Sequence, residues 1–326
     1  MKRLTRDLLL LCALGALTFA LSRAGVYAAV ALWLDPPAGD GWLSQESAAY
    51  LPPEAAPQRT GRFLPPLPEM TENAQPIPTP IPGYRPVPQV RSSLKQPVDY
   101  AALLEAGWDF DPSGEGAQIL ILHTHSCEAY TPEAPGETAS ADFRSTDPAQ
   151  SVIAVGDALT EALEGYGFSV LHDRSLYDYP AYNGAYDRSG AAVAERLAQE
   201  EGIRVVIDLH RDSLGGARTE YLLPDGTRSA QVMLLLTSGE NGLSHPLWRE
   251  NLKLGLAIQS ELEARYPGLA RPLCLSAARY NQHLSTGSFL VEVGTEANTL
   301  SEAKRAANLL GECLAAVLNG GKGAKS

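Results

Sequence analysis

Fifteen of the chain's 24 prolines fall between residues 35 and 97, in runs such as PPEAAPQ, FLPPLPEM and PIPTPIPGYRPVP. Proline lacks a backbone N–H and fixes φ, so a segment this dense in it can neither complete sheet ladders nor bury a core. The spacing predicts a Pro-rich disordered linker over 35–97, flanked by a short N-terminal part, 1–34, and a folding part, 98–326. At ~3.1 Å per residue in polyproline II, and less as a coil, such a tether reaches at most roughly 200 Å.

The N-terminal part opens with Lys2, Arg3 and Arg6 and continues as LLLLCALGALTFALSRAGVYAAVALWL, with Arg23 as its one charge. A positive flank followed by apolar sequence of membrane length predicts a transmembrane signal anchor. A cleaved signal peptide is the alternative, with LSRAG or VYAAV as the small-residue cleavage site. The positive-inside rule then gives a single-pass cell-membrane protein whose folded part is extracytoplasmic. The 26 Lys and Arg against 38 Asp and Glu give a net charge of −12, and no basic run offers phosphate a binding face. Nucleic acid is excluded as a partner on that ground. Cys12, Cys127, Cys274 and Cys313 include no CxxC pair, which argues against a thiolate metal site and leaves one bridge among the last three open.

Residues 98–326 alternate short apolar runs with helical stretches. QILILH (118–123), FSVLH (168–172), RVVIDLH (204–210), AQVMLLLT (230–237) and SFLVEVG (288–294) read as strands; 151–165, 189–200, 246–266 and 299–320 read as helices. This rhythm predicts one α/β domain built on an open mixed, mainly parallel sheet flanked by helices.

Ligand crevices in such sheets form at the carboxyl ends of strands. There the sequence places His123, His125 and Glu128 in HTHSCE, His210, Arg211 and Asp212 in HRD, and Glu292 in FLVEVG. Catalytic zinc takes three nitrogen or oxygen ligands and leaves a fourth position open. One of His123 and His125, which share a side if strand geometry persists, together with His210 and either Glu128 or Asp147, supplies that set. Glu292, set among Leu290, Val291 and Val293, suits a proton-transfer role, because a carboxylate in apolar surroundings is costly without a purpose. Structural histidines and a salt-bridged glutamate are the competing reading of the same residues.

The runs LHTHSCEAYTP, LHDRSLYDYPAYNGAYDRS, VVIDLHRDS, HPLWRENLKLGLAIQSELEARYPGLARPL and RYNQHLSTGSFLVEVGTEANTLSEAKRAA span 117–319 in order. Together with the N-terminal anchor they resemble the stage II sporulation protein P family. The resemblance implies a membrane-anchored, zinc-dependent N-acetylmuramoyl-L-alanine amidase that also cleaves peptide cross-links of peptidoglycan during engulfment. It implies a fold similar to the zinc amidases, partnership with stage II sporulation proteins D and M, His210 as a metal ligand and Glu292 as the catalytic carboxylate. Arg211, Asn281 and Gln282 are the expected substrate contacts. A tethered scaffold that binds peptidoglycan or engulfment partners without turnover is the alternative.

Overall fold

The computed structural model describes residues 86–320 apart from 113, 134–139 and 141. The expected anchor, 1–34, and most of the linker lie outside the described residues. Among the described residues no helix is long and apolar enough to cross a membrane.

Seven strands form one sheet: β1 (Val90–Ser92), β2 (Ile119–Leu122), β3 (Val170–His172), β4 (Val205–Asp212), β7 (Val232–Thr237), β8 (Leu273–Ser276) and β9 (Ser288–Thr295). Their spatial order is β1-β8-β7-β9-β4-β2-β3. All neighbours run parallel except β7 and β9, so the sheet consists of two parallel blocks joined at one antiparallel seam. A separate hairpin pairs β5 (Tyr221–Leu222) with β6 (Arg228–Ser229). The helices are α1 (Tyr100–Ala106), α2 (Val152–Gly165), α3 (Ala185–Gln199), α4 (Trp248–Arg265) and α5 (Leu300–Gly320). The expected α/β architecture is present.

The linker boundary needs correction. β1 lies within 35–97 and pairs in register with β8, Val90 against Leu273. Proline density forbids an interior strand, yet a three-residue edge strand falls between Pro88 and Pro97 and pairs on one side alone. The folded part therefore begins before residue 98.

Period-two alternation divides the sheet into two faces. Ile119, Ile121, Val205, Ile207, Leu209, Leu234, Leu236, Val291 and Val293 join one large core with Val155, Leu159 and Leu163 of α2, Leu252 and Leu256 of α4, and Leu310 and Leu314 of α5. Ser151 starts α2 by accepting a hydrogen bond from the Ile153 amide, 3.3 Å away. Leu120, Leu122 and Val206 turn to the opposite face and meet Val193 of α3. On that same face, beyond the seam, Met233, Leu235, Cys274 and Leu290 form a smaller cluster. The parity of β4 puts Asp208 and His210 on the α3 face, out of the main core. Cys127, Cys274 and Cys313 are all free thiols, so no bridge forms among them.

Candidate active site

β2 stops at Leu122, and residues 124–127 form a turn rather than more strand. The two histidines of HTH therefore do not share a direction. His123 is fully buried; its Nδ1 donates to the Leu209 carbonyl at 2.8 Å and its Nε2 lies 2.8 Å from Nε2 of His172. The Nδ1 proton leaves Nε2 of a neutral His123 as the acceptor toward His172. His172 in turn reaches Asp157 at 3.1 Å, and Asp157 pairs with Arg174. Both nitrogens of His123 are thus committed within the protein. Gly156 makes room for the pair, since a Cβ there would stand 2.6 Å from both Nε2 atoms.

His125 goes the other way. Its ring lies flat on Tyr182, centroids 4.5 Å apart, meets Tyr186 edge-on at 5.5 Å and meets His210 edge-on at 5.3 Å. Two carboxylates pin its turn. Asp208 accepts from the Thr124 amide and hydroxyl at 2.8 and 2.7 Å, and Asp178 accepts from Ser126 Oγ and the Cys127 amide at 2.9 and 3.1 Å. His210 Nδ1 stands 3.5 Å from Glu128 Oε2. Its Nε2 is 2.9 Å from Asp208 Oδ1 without the alignment of a hydrogen bond. Glu292 lies directly across from His210 in the parallel β4–β9 register, so both side chains leave the same face. His125, Glu128, Asp208, His210 and Glu292 are all buried.

The electrostatics follow from this crowding. Burial opposes charge on His210, but Asp208 and then Glu128 outweigh it and hold the imidazole well above its ordinary pKa. Burial raises Glu128, yet His210, Arg211 and His125 more than reverse this and keep it ionised below the usual carboxylate range. Burial pushes His125 down to about 4 against the pull of Glu128. Burial and His172 push His123 down to about 3.

The donor chemistry suits a divalent cation: two imidazoles and a carboxylate, enclosed, with His125 Nδ1 lacking a hydrogen-bond partner and His210 Nδ1 turned toward Glu128. The 3.5 Å between His210 and Glu128 matches the separation of two ligands on one tetrahedral ion, about 3.3 Å for bonds of ~2.0 Å. Among the described residues no three such side chains already converge on one point. Asp147 is exposed and closes its own turn by accepting from the Ala149 amide at 2.9 Å, away from this cluster.

A model of the family described as Stage II sporulation protein P matches residues 81–315. The chain belongs to the stage II sporulation protein P family. A curated family member, Stage II sporulation protein P of Bacillus subtilis (strain 168), is 30% identical over 211 residues, which cover 60% of this chain and 50% of that protein. This chain thus aligns with about half the length of that relative. Among solved structures, the CwlD amidase of Clostridioides difficile is 13% identical, with a TM-score of 0.39, over 62% of this chain and 96% of its own. The N-acetylmuramyl-L-alanine amidase Ami1 of Mycobacterium smegmatis is 13% identical, with a TM-score of 0.38, over 64% and 99%.

In this member of the family the expected substrate contacts are occupied by other duties. Arg211 gives its Nε to the Ala129 carbonyl at 2.9 Å and an Nη to the Phe143 carbonyl at 3.1 Å, so it braces the loop that carries Glu128. Gln282 accepts from the Thr237 amide at 3.1 Å and donates to the Leu235 carbonyl at 3.0 Å. Asn281 donates to the Tyr186 carbonyl at 2.8 Å and holds α3 in place. Residue types alone had not pointed to Asp178, Tyr182 or Tyr186 around His125. The signal available for them was the aromatic density of YDYPAYNGAY, ahead of α3.

Proposed function

We propose that this protein is a zinc-dependent peptidoglycan hydrolase of sporulation, an N-acetylmuramoyl-L-alanine amidase that also opens peptide cross-links. The observation that carries the reading is that buried His210 stands beside Glu128 on one side and edge-on to His125 on another, with Glu292 across from it on the neighbouring strand. Membership of the stage II sporulation protein P family agrees with it.

His125, Glu128 and His210 would hold the ion; the third ligand has to come from His125, whose ring centroid stands 5.3 Å from that of His210. Zinc bound there would supply Lewis acidity and bring the pKa of water toward ~7. Asp208 fixes the ring of His210 from Nε2 and leaves Nδ1 to face Glu128, the outer-shell role that carboxylates play beside ligating histidines. Tyr182, stacked on His125, sets the plane of that ring. Glu292 takes a proton from the attacking water and delivers it to the departing amide nitrogen, so that cleavage of the lactyl–peptide bond leaves a neutral amine. The N-terminal segment would tether the enzyme to the cell membrane with this domain outside it, facing peptidoglycan. Stage II sporulation proteins D and M are the proposed partners.

Zinc-loaded Glu292→Gln and wild-type proteins, compared on purified peptidoglycan with mass analysis of the products, test the assignment. Free glycan and detached stem peptides are expected from wild type and a large loss from the variant. Equal digestion by both sinks the role given to Glu292. Zinc-loaded protein that binds the wall without releasing fragments would instead be a scaffold.

A further inference from the structure

Another pair of histidines, one buried and one half-buried, lies away from His125 and His210. β7 and β8 are parallel neighbours, so the loops that follow them leave from one edge of the sheet. The first loop carries His245 and the second carries Arg279 and His283. The His245 and His283 rings face each other edge-on with centroids 6.5 Å apart. His245 is 4% exposed and neither ring nitrogen has a hydrogen-bond partner; Nδ1 of His283 also has none. Arg279 is 8% exposed, and no ion pair to a described carboxylate reaches it. Burial drives His245 down to about 4, with His283 and Arg279 adding to the shift. His283 falls to about 4 by burial and then by Arg279. Burial alone lowers the Arg279 guanidinium.

We propose that Arg279, His245 and His283 form a binding site for a carboxylate. The three side chains offer a planar guanidinium fork and two neutral imidazoles, each with one N–H to donate, and among the described residues no carboxylate forms an ion pair with Arg279. A desolvated cation without a counter-charge is costly, and so are buried ring nitrogens without partners. A carboxylate relieves all three at once, because its two oxygens match the guanidinium bidentately and have lone pairs left for both imidazoles. A divalent cation is disfavoured here by the guanidinium, and buried water would supply no charge. His283 is only half-buried, so the pair is not sealed from solvent.

The location suggests whose carboxylate it is. Arg279 adjoins Tyr280, whose ring lies 5.2 Å from Tyr186, which itself meets His125 at 5.5 Å. Because β7 runs antiparallel to β9, this edge of the sheet is opposite the carboxyl ends of β2 and β4, and Tyr280 and Tyr186 line the way from it to His125; a peptide carboxylate of a wall substrate that extends along those rings from His125 is the proposed occupant. That identification rests on the hydrolase reading; the carboxylate site itself does not.

The test uses the full-length chain labelled with 15N-histidine, of which there are six. Acetate is expected to shift the His245 and His283 signals saturably, and acetamide, its neutral counterpart, to leave them in place. Arg279→Gln should weaken acetate roughly tenfold or more, the worth of a charged hydrogen bond, while Arg279→Lys keeps part of the affinity. Unmoved His123 and His172 signals in both variants report that the fold is intact. Equal response to acetamide, no response to acetate, or undiminished acetate binding by Arg279→Gln overturns the site. In the enzyme assay, Arg279→Gln should raise KM for peptidoglycan with free stem-peptide carboxylates and leave KM for the amidated form alone. Acetate binding without wall hydrolysis would keep the site and remove the hydrolase reading; hydrolysis without acetate binding would do the reverse.

Discussion

Two of the histidine pairs in this domain face opposite chemistry. His125 and His210 sit among Glu128, Asp178 and Asp208, and carboxylates hold the charge on His210. His245 and His283 sit beside Arg279, and no carboxylate among the described residues forms an ion pair with it. The first environment is negative and gathers donors that suit a cation; the second is positive and short of acceptors, which suits an anion. The residue type is the same in both places. What decides the ligand is the sign of the charge brought up behind the rings.

The contrast can be broken at several points. The largest effect is expected at Glu292: the Gln variant should lose roughly 10²–10⁴-fold in turnover with zinc retained, as measured on purified peptidoglycan. Next, Asp208→Asn should weaken zinc binding or activity roughly 10–100-fold, because it removes the outer carboxylate of His210. A chelator-competition titration checks this, and unchanged affinity would detach Asp208 from the site. Gly156→Ala forces a methyl against His123 and His172 and should cost about 1–3 kcal/mol in denaturant unfolding, with zinc content unchanged. Loss of zinc in that variant would move His123 into the metal site.

The smallest effect concerns acid. His245 and His283 fall from an ordinary 6.5 to about 4 on folding, so the unfolded chain binds their protons first. Their contribution is intact above pH 6.5 and is lost as pH falls toward 4. His245→Gln should therefore flatten the decline of Tm across that interval by a few °C, and an unchanged slope would show that His245 is not desolvated.

Much of this was legible in the residues. The alternation of RVVIDLH and FLVEVG already assigns Ile207, Leu209 and Val291 to one face and His210 and Glu292 to the other, because strand parity leaves no choice. Three features were hidden. β1 is too short and too close to proline for local pattern to reveal it, and it exists because β8 offers an open edge. His123 and His125 separate because β2 ends at Leu122, and the end of a strand is set by its neighbours in the sheet. Arg211, Asn281 and Gln282 look like substrate contacts by type, but backbone carbonyls and amides far away along the chain bond to them, and only the tertiary fold brings those groups near.

The central claim is that His125, Glu128 and His210 grip one ion while His123 does not. Zinc stoichiometry of the purified full-length chain measures it directly, with His123→Gln, His125→Ala and His210→Ala alongside. The account expects about one zinc per chain in wild type and in His123→Gln, and little in the other two. Zinc retained by His210→Ala, or absent from a folded wild-type chain supplied with the metal, would contradict it.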